Sequence, residues 1–109
     1  MPVKTIMLVC NAGMSTSMLV NKMNQVVEKE NKEYTIFAVS TSRVQEEVGS
    51  KKIDMILLGP QIRYMEDSIK SQVGDVPVHV IDMLDYGTMN AAHVLQTVED
   101  YIMKDDTNE

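Results

Sequence analysis

The residues best suited to chemistry form one short run, Cys10, Asn11, Ala12, Gly13, Met14, Ser15, Thr16 and Ser17. It follows an apolar segment that ends at Val9 and precedes the longest amphipathic pattern in the chain. A strand turning into a helix at this point sets a thiol beneath the helix N-terminus. The first turn of a helix leaves backbone N–H groups unpaired and carries about half a positive charge, which favours an anion and the thiolate form of a nearby cysteine. Gly13 permits backbone angles that let successive N–H groups converge, while Ser15, Thr16 and Ser17 add hydroxyl donors. The loop therefore has the makings of a cradle for a phosphate-sized anion, with Cys10 as the nucleophile that would carry a phosphoryl group. The same residues admit a plainer account. A lone cysteine ending an apolar strand is often a small core residue, and Ser-Thr-Ser before a helix is often only its N-cap.

The elements that must position this loop follow from hydrophobic patterning. Four short runs rich in Val, Ile or Leu, Thr5 to Val9, Tyr34 to Val39, Asp54 to Leu58 and Val78 to Ile81, read as buried parallel strands. Between them lie helical patterns. The first spans Ser15 to Glu30, with Met18, Leu19, Lys22, Met23 and Val26 on one face. Val44, Val48 and Ile53 mark a second, Ile62, Met65 and Ile69 a third, and Met89, Ala92, Val94, Leu95, Val98 and Ile102 a fourth. Strand and helix thus alternate four times. Right-handed crossovers turn such alternation into a parallel sheet with helices on both faces, where ligands sit beyond the carboxyl ends of the strands. The expected organisation is a single α/β domain over residues 1–103 followed by a polar, frayed tail from Lys104 to Glu109.

Composition narrows the function. At 109 residues and 44% hydrophobic, the chain can bury one core but not two. A net charge of -6 without a Lys/Arg cluster gives nucleic acid and anionic membranes no electrostatic footprint. No run approaches the roughly 20 apolar residues of a membrane span, and the opening apolar run is too short for a signal sequence, so a cytoplasmic location without membrane insertion is expected. One cysteine rules out an intramolecular disulfide and a Cys-rich metal site, and no metal or cofactor is called for.

Two separated motifs then resemble one family. Val9-Cys10-Asn11-Ala12-Gly13-Met14-Ser15-Thr16-Ser17 and Leu57-Leu58-Gly59-Pro60-Gln61-Ile62-Arg63-Tyr64-Met65, with Val80-Ile81-Asp82 and Tyr86-Gly87 later, are similar to the IIB component of the lactose/cellobiose branch of the sugar phosphotransferase system. The likeness runs from about Lys4 to Ile102. It implies a four-stranded parallel sheet in the order 2-1-3-4, the fold of the low-molecular-weight tyrosine phosphatases. It also implies that Cys10 takes a phosphoryl group from a phosphohistidine of the IIA component and passes it to a sugar, such as cellobiose or lactose, bound at the membrane component IIC. The family often has Ser at the place of Asn11 and Leu at the place of Met18, neither touching the expected chemistry.

In that strand order the loop after the third strand lies beside the Cys10 loop, so Gly59, Pro60 and Gln61 form a wall of the site, with Tyr64 one turn on. Pro60 suits equally the start of a helix. Ser40, Thr41, Asp82 and Asp85 lie at the same end, where capping helices or facing solvent is the expected role of most of them, and a carboxylate close to a dianionic phosphoryl group would oppose it. His79 and His93 fall outside the expected crevice and read as packing or surface residues. The ten Met residues read as adaptable core, with Met14 and Met18 as candidates for a pliable docking surface.

The rival readings are a small cysteine-dependent phosphatase and a phosphate-binding module. The phosphatase pattern Cys-x5-Arg would put its Arg at position 16, which is Thr16, leaving no guanidinium clamp. An arsenate reductase would need further cysteines. A receiver domain would show acids where the chain has Val9-Cys10-Asn11, and a flavodoxin more aromatic residues than Phe37 and four Tyr.

Overall fold

The computed structural model describes residues 4–11 and 14–107, the side chains of 14, 15 and 103–107 excepted. The four apolar runs are strands: β1 (Lys4–Cys10), β2 (Tyr34–Ser40), β3 (Met55–Leu58) and β4 (Val78–Val80). They pair in parallel in the order β2-β1-β3-β4, as expected. The helices are α1 (Met14–Lys29), α2 (Val44–Ser50), α3 (Glu66–Val73), α4 (Met83–Gly87) and α5 (Ala91–Thr107).

Pleating splits the core in two. Ile6 and Leu8 of β1 pack with Leu19, Val20, Met23 and Val27 of α1 and with Val94, Leu95 and Val98 of α5. Met7 and Val9, on the other face, pack with Val44 of α2 and with Ile69 and Val73 of α3. The assignment follows from handedness. The chain moves one way from β1 to β2 and back the other way from β2 to β3 and β4, so right-handed crossovers put α1 on one face and α2 and α3 on the other. Each fully buried aliphatic side chain here contributes about 1.5–3 kcal/mol.

The alternation is less regular than four strand–helix units. A 3₁₀ turn at Thr41–Arg43 precedes α2, and another at Pro60–Met65, with Pro60 at its start, precedes α3. The short helix α4 stands between β4 and α5. It forms because Asp82 caps it, its Oδ1 accepting from the N–H groups of Leu84 (2.8 Å) and Asp85 (3.3 Å). The buried stripe of α1 is rotated from the expected one: Met18 and Lys22 are exposed, while Val20 and Val27 face the core. Likewise Ala91, not Ala92, is buried at the start of α5. The backbone of α5 stays helical to Thr107, across part of the segment expected as a tail.

Candidate functional site

The point where the chain direction across the sheet reverses lies between β1 and β3, and in such sheets the crevice for ligands opens there. Cys10 is the last residue of β1, beside Ser40 of β2 in register, and its thiol is free. It is 6% exposed. Alternation along β1 puts it on the Ile6 and Leu8 face, under the start of α1. Ala12 and Gly13 of the expected cradle lie outside the described residues, as do the side chains of Met14 and Ser15. The backbone of α1 is helical from Met14, so the helix N-terminus stands where the loop pattern requires it.

Thr16 and Ser17 are not equivalent. Ser17 is exposed, whereas Thr16 is 1% exposed and its Oγ1 lies 3.0 Å from the hydroxyl of Tyr86, a buried contact between residues 70 apart in sequence. In the Cys-x5-Arg spacing of the phosphatases position 16 would be the Arg; here it is a Thr whose hydroxyl is turned to Tyr86. Across the crevice Gly59 donates its backbone N–H to the Val9 carbonyl oxygen at 3.1 Å, drawing the loop after β3 against the strand end beneath the thiol. A methyl group at Gly59 would lie 3.0 Å from Gln61 Oε1 and 3.8 Å from both Tyr86 Cε2 and the Val9 carbonyl oxygen. Gly59, Gln61 and Tyr86 therefore meet at one wall. On the β2 side, Thr41 Oγ1 donates to Asn11 Oδ1 at 3.4 Å, and Ser40 Oγ pairs with Ser42 Oγ at 3.0 Å.

The remaining expected residues separate by environment. Pro60 is buried and starts its 3₁₀ turn, while Tyr64 points to solvent at 74% exposure. Met18 is 56% exposed on the first turns of α1. Asp82 is spent on capping α4, and Asp85 Oδ2 hydrogen-bonds His93 Nδ1 at 2.6 Å, tying α4 to α5. His79 and His93 line, with Asp82, Asp85, Leu57, Ile81, Val94 and Thr97, a cavity of about 210 Å³ at the β4 edge, and Cys10 does not line it. Tyr86 is the residue that reasoning from loop chemistry passes over. Its only trace was the Tyr86-Gly87 pair among the family motifs, because its link to Thr16 exists only in three dimensions.

Comparison with known proteins agrees with this geometry. Residues 5–97 match the model of the phosphotransferase-system lactose/cellobiose-specific IIB subunit. The chain is 44% identical over 101 residues to the galactose-specific EIIB component of Lactococcus lactis subsp. cremoris, and equally to the cellobiose-specific EIIB component of Lactococcus lactis subsp. lactis; each match covers 88% of this chain and 94% of the relative. The solution structure of the cellobiose-specific phosphotransferase IIB component from Borrelia burgdorferi superposes with a TM-score of 0.71 at 38% identity, covering 87% of each chain. With a cysteine-ended central strand, the expected strand order and matches along nearly its whole length, the chain belongs to the lactose/cellobiose-specific IIB family of the sugar phosphotransferase system.

Proposed function

We propose that this IIB component is a phosphoryl carrier that works through Cys10. The observation that carries the reading is the position of Cys10 at the carboxyl end of the central strand, under α1 and beside Gly59 at the reversal point of the sheet. The thiolate sulfur attacks the phosphorus of a phosphohistidine on a IIA partner; the S–P bond forms as the P–N bond breaks, and the imidazole leaves. In the second step a hydroxyl of the sugar bound at IIC attacks the phosphocysteine, the S–P bond breaks, and the hydroxyl proton is released. The chain's own part is to bind and neutralise charge with the first-turn N–H groups of α1 and the hydroxyls of the loop, residues 11 to 17.

Neutral donors suit a carrier. A grip too tight on the phosphoryl group would trap the intermediate, and a guanidinium at position 16 would favour hydrolysis. Position 16 instead carries Thr16, whose hydroxyl pairs with that of Tyr86. In this reading the sugar is met at a membrane component IIC on its cytoplasmic side; among the described residues no helix is long and apolar enough to cross a membrane. Two relatives of equal identity are named for galactose and for cellobiose. Overall likeness therefore does not choose the sugar, and a β-glucoside or disaccharide such as cellobiose or lactose is the proposed class.

Intact-mass measurement after incubation with phosphoenolpyruvate, the general phosphotransferase proteins and a matching IIA tests the reading. Wild type is expected to gain one phosphoryl group and Cys10→Ser none. A phosphoryl adduct that persists in Cys10→Ser, or its absence from wild type across several IIA partners, would sink it.

A further inference from the structure

Tyr86 has no task in the transfer steps above, yet it is held with care. Its helix, α4, has five residues and is pinned at its start and at its middle. Asp82 caps its start, and Asp85 joins it to His93 of α5. From there the Tyr86 ring runs past Gly59, where an added methyl group would meet its edge at 3.8 Å, and its hydroxyl reaches Thr16 at 3.0 Å. Thr16 is the third residue of α1, within the turn whose backbone N–H groups have no partner inside the helix. The position of that turn relative to the sulfur decides whether those N–H groups meet the oxygens of a phosphoryl group on Cys10. Only one hydroxyl hydrogen lies within the Thr16–Tyr86 bond, so the accepting hydroxyl keeps its own hydrogen to direct elsewhere.

We infer that Tyr86 is a positioning residue for phosphoryl transfer: through Thr16 it holds the first turn of α1 in register with Cys10. The inference rests on the carrier reading of Cys10. It makes Tyr86 act on the transferred phosphoryl group at second hand, by fixing donors that a loop free to shift by a fraction of an ångström would misplace.

The test is a single-turnover measurement of phosphoryl uptake from phosphorylated IIA, made at a temperature where every variant is shown by circular dichroism to be folded. Tyr86→Phe and Thr16→Val each remove one hydroxyl and keep the packing. Each is expected to slow uptake about tenfold, the worth of one hydrogen bond at the upper end of its usual range. The double variant should be no slower than either single one, because both remove the same contact, and Thr16→Ser should return to within about twofold of wild type. Wild-type uptake rates in the folded single variants, losses that multiply in the double variant, or a failure of Thr16→Ser to recover would overturn the inference. A wild type that takes up no phosphoryl group refutes the carrier reading instead, a result distinguishable from all of these.

Discussion

At the amino edge of the sheet the chain is tied down by charged groups, whereas among the described residues the hydrogen bonds of the loops that flank Cys10 join neutral ones, the charged Asp85–His93 contact standing at the β4 edge. Below, the Thr5 N–H donates to Asp54 Oδ2 at 2.7 Å, just before β3. Lys32 pairs with Glu99 of α5 and with Glu30, and the Tyr34 hydroxyl donates to Glu99 Oε2 at 3.4 Å. Above, the pairs among the described residues include Thr16 with Tyr86, Thr41 with Asn11, and the Gly59 amide with the Val9 carbonyl. The difference teaches which end is free to change its charge. A fixed ion pair beside the thiol would compete with an arriving phosphoryl group, while the amino edge meets no substrate and can be stapled.

The largest effect on stability should come from Asp54. Asp54→Ala leaves the Thr5 N–H at a half-buried strand end without its acceptor and is expected to cost about 1–3 kcal/mol in urea unfolding. Phosphoryl uptake by the folded variant should stay at the wild-type rate. A matching loss of uptake would break the division between the two edges.

Glu99→Gln comes next, at about 0.5–1 kcal/mol, with a pH signature. The hydrogen bond that Lys32 donates to Glu99 holds its ammonium above its ordinary 10.5, and burial, followed by the charge of Glu99, holds the Tyr34 phenol above its ordinary 10.0. Both groups bind their proton more tightly in the folded chain. Their stabilisation is therefore complete below pH of about 10 and lost as pH rises through the raised native values. The variant should show a flatter alkaline fall in unfolding free energy than wild type; parallel slopes would remove Glu99 from this account.

Gly59→Ala should have the smallest effect. Its backbone angles, φ -61° and ψ 145°, suit any residue, and the added methyl group displaces only the end of the Gln61 side chain while meeting Tyr86 and Val9 at ordinary distance. Stability is expected within about 0.5 kcal/mol of wild type and uptake within about twofold. A loss as large as that of Tyr86→Phe would put the Gln61 amide among the groups that serve Cys10.

The strands and the start of α1 were legible because burial on both faces demands continuous apolar runs, and Gly13 with three hydroxyls marks the turn that follows. The phase of α1 was less so. Leu19 and Met23 belong to both the expected and the buried face, so the same periodicity admits Met18 on one flank or Val20 on the other, and only packing against β1 and α5 chose Val20 and left Met18 exposed. For α4, five residues are too few for a periodic signal, so the helix became visible through the Asp82 cap.

By itself the sequence determined a parallel α/β domain with a single thiol at a strand-to-helix turn, because composition, period and turn residues are local properties read along the chain. Tertiary structure alone decided which hydroxyl meets Tyr86 and how charged contacts divide from neutral ones. Those choices depend on side chains brought together from up to 70 positions apart, as Thr16 and Tyr86 are, and no local pattern encodes such a meeting.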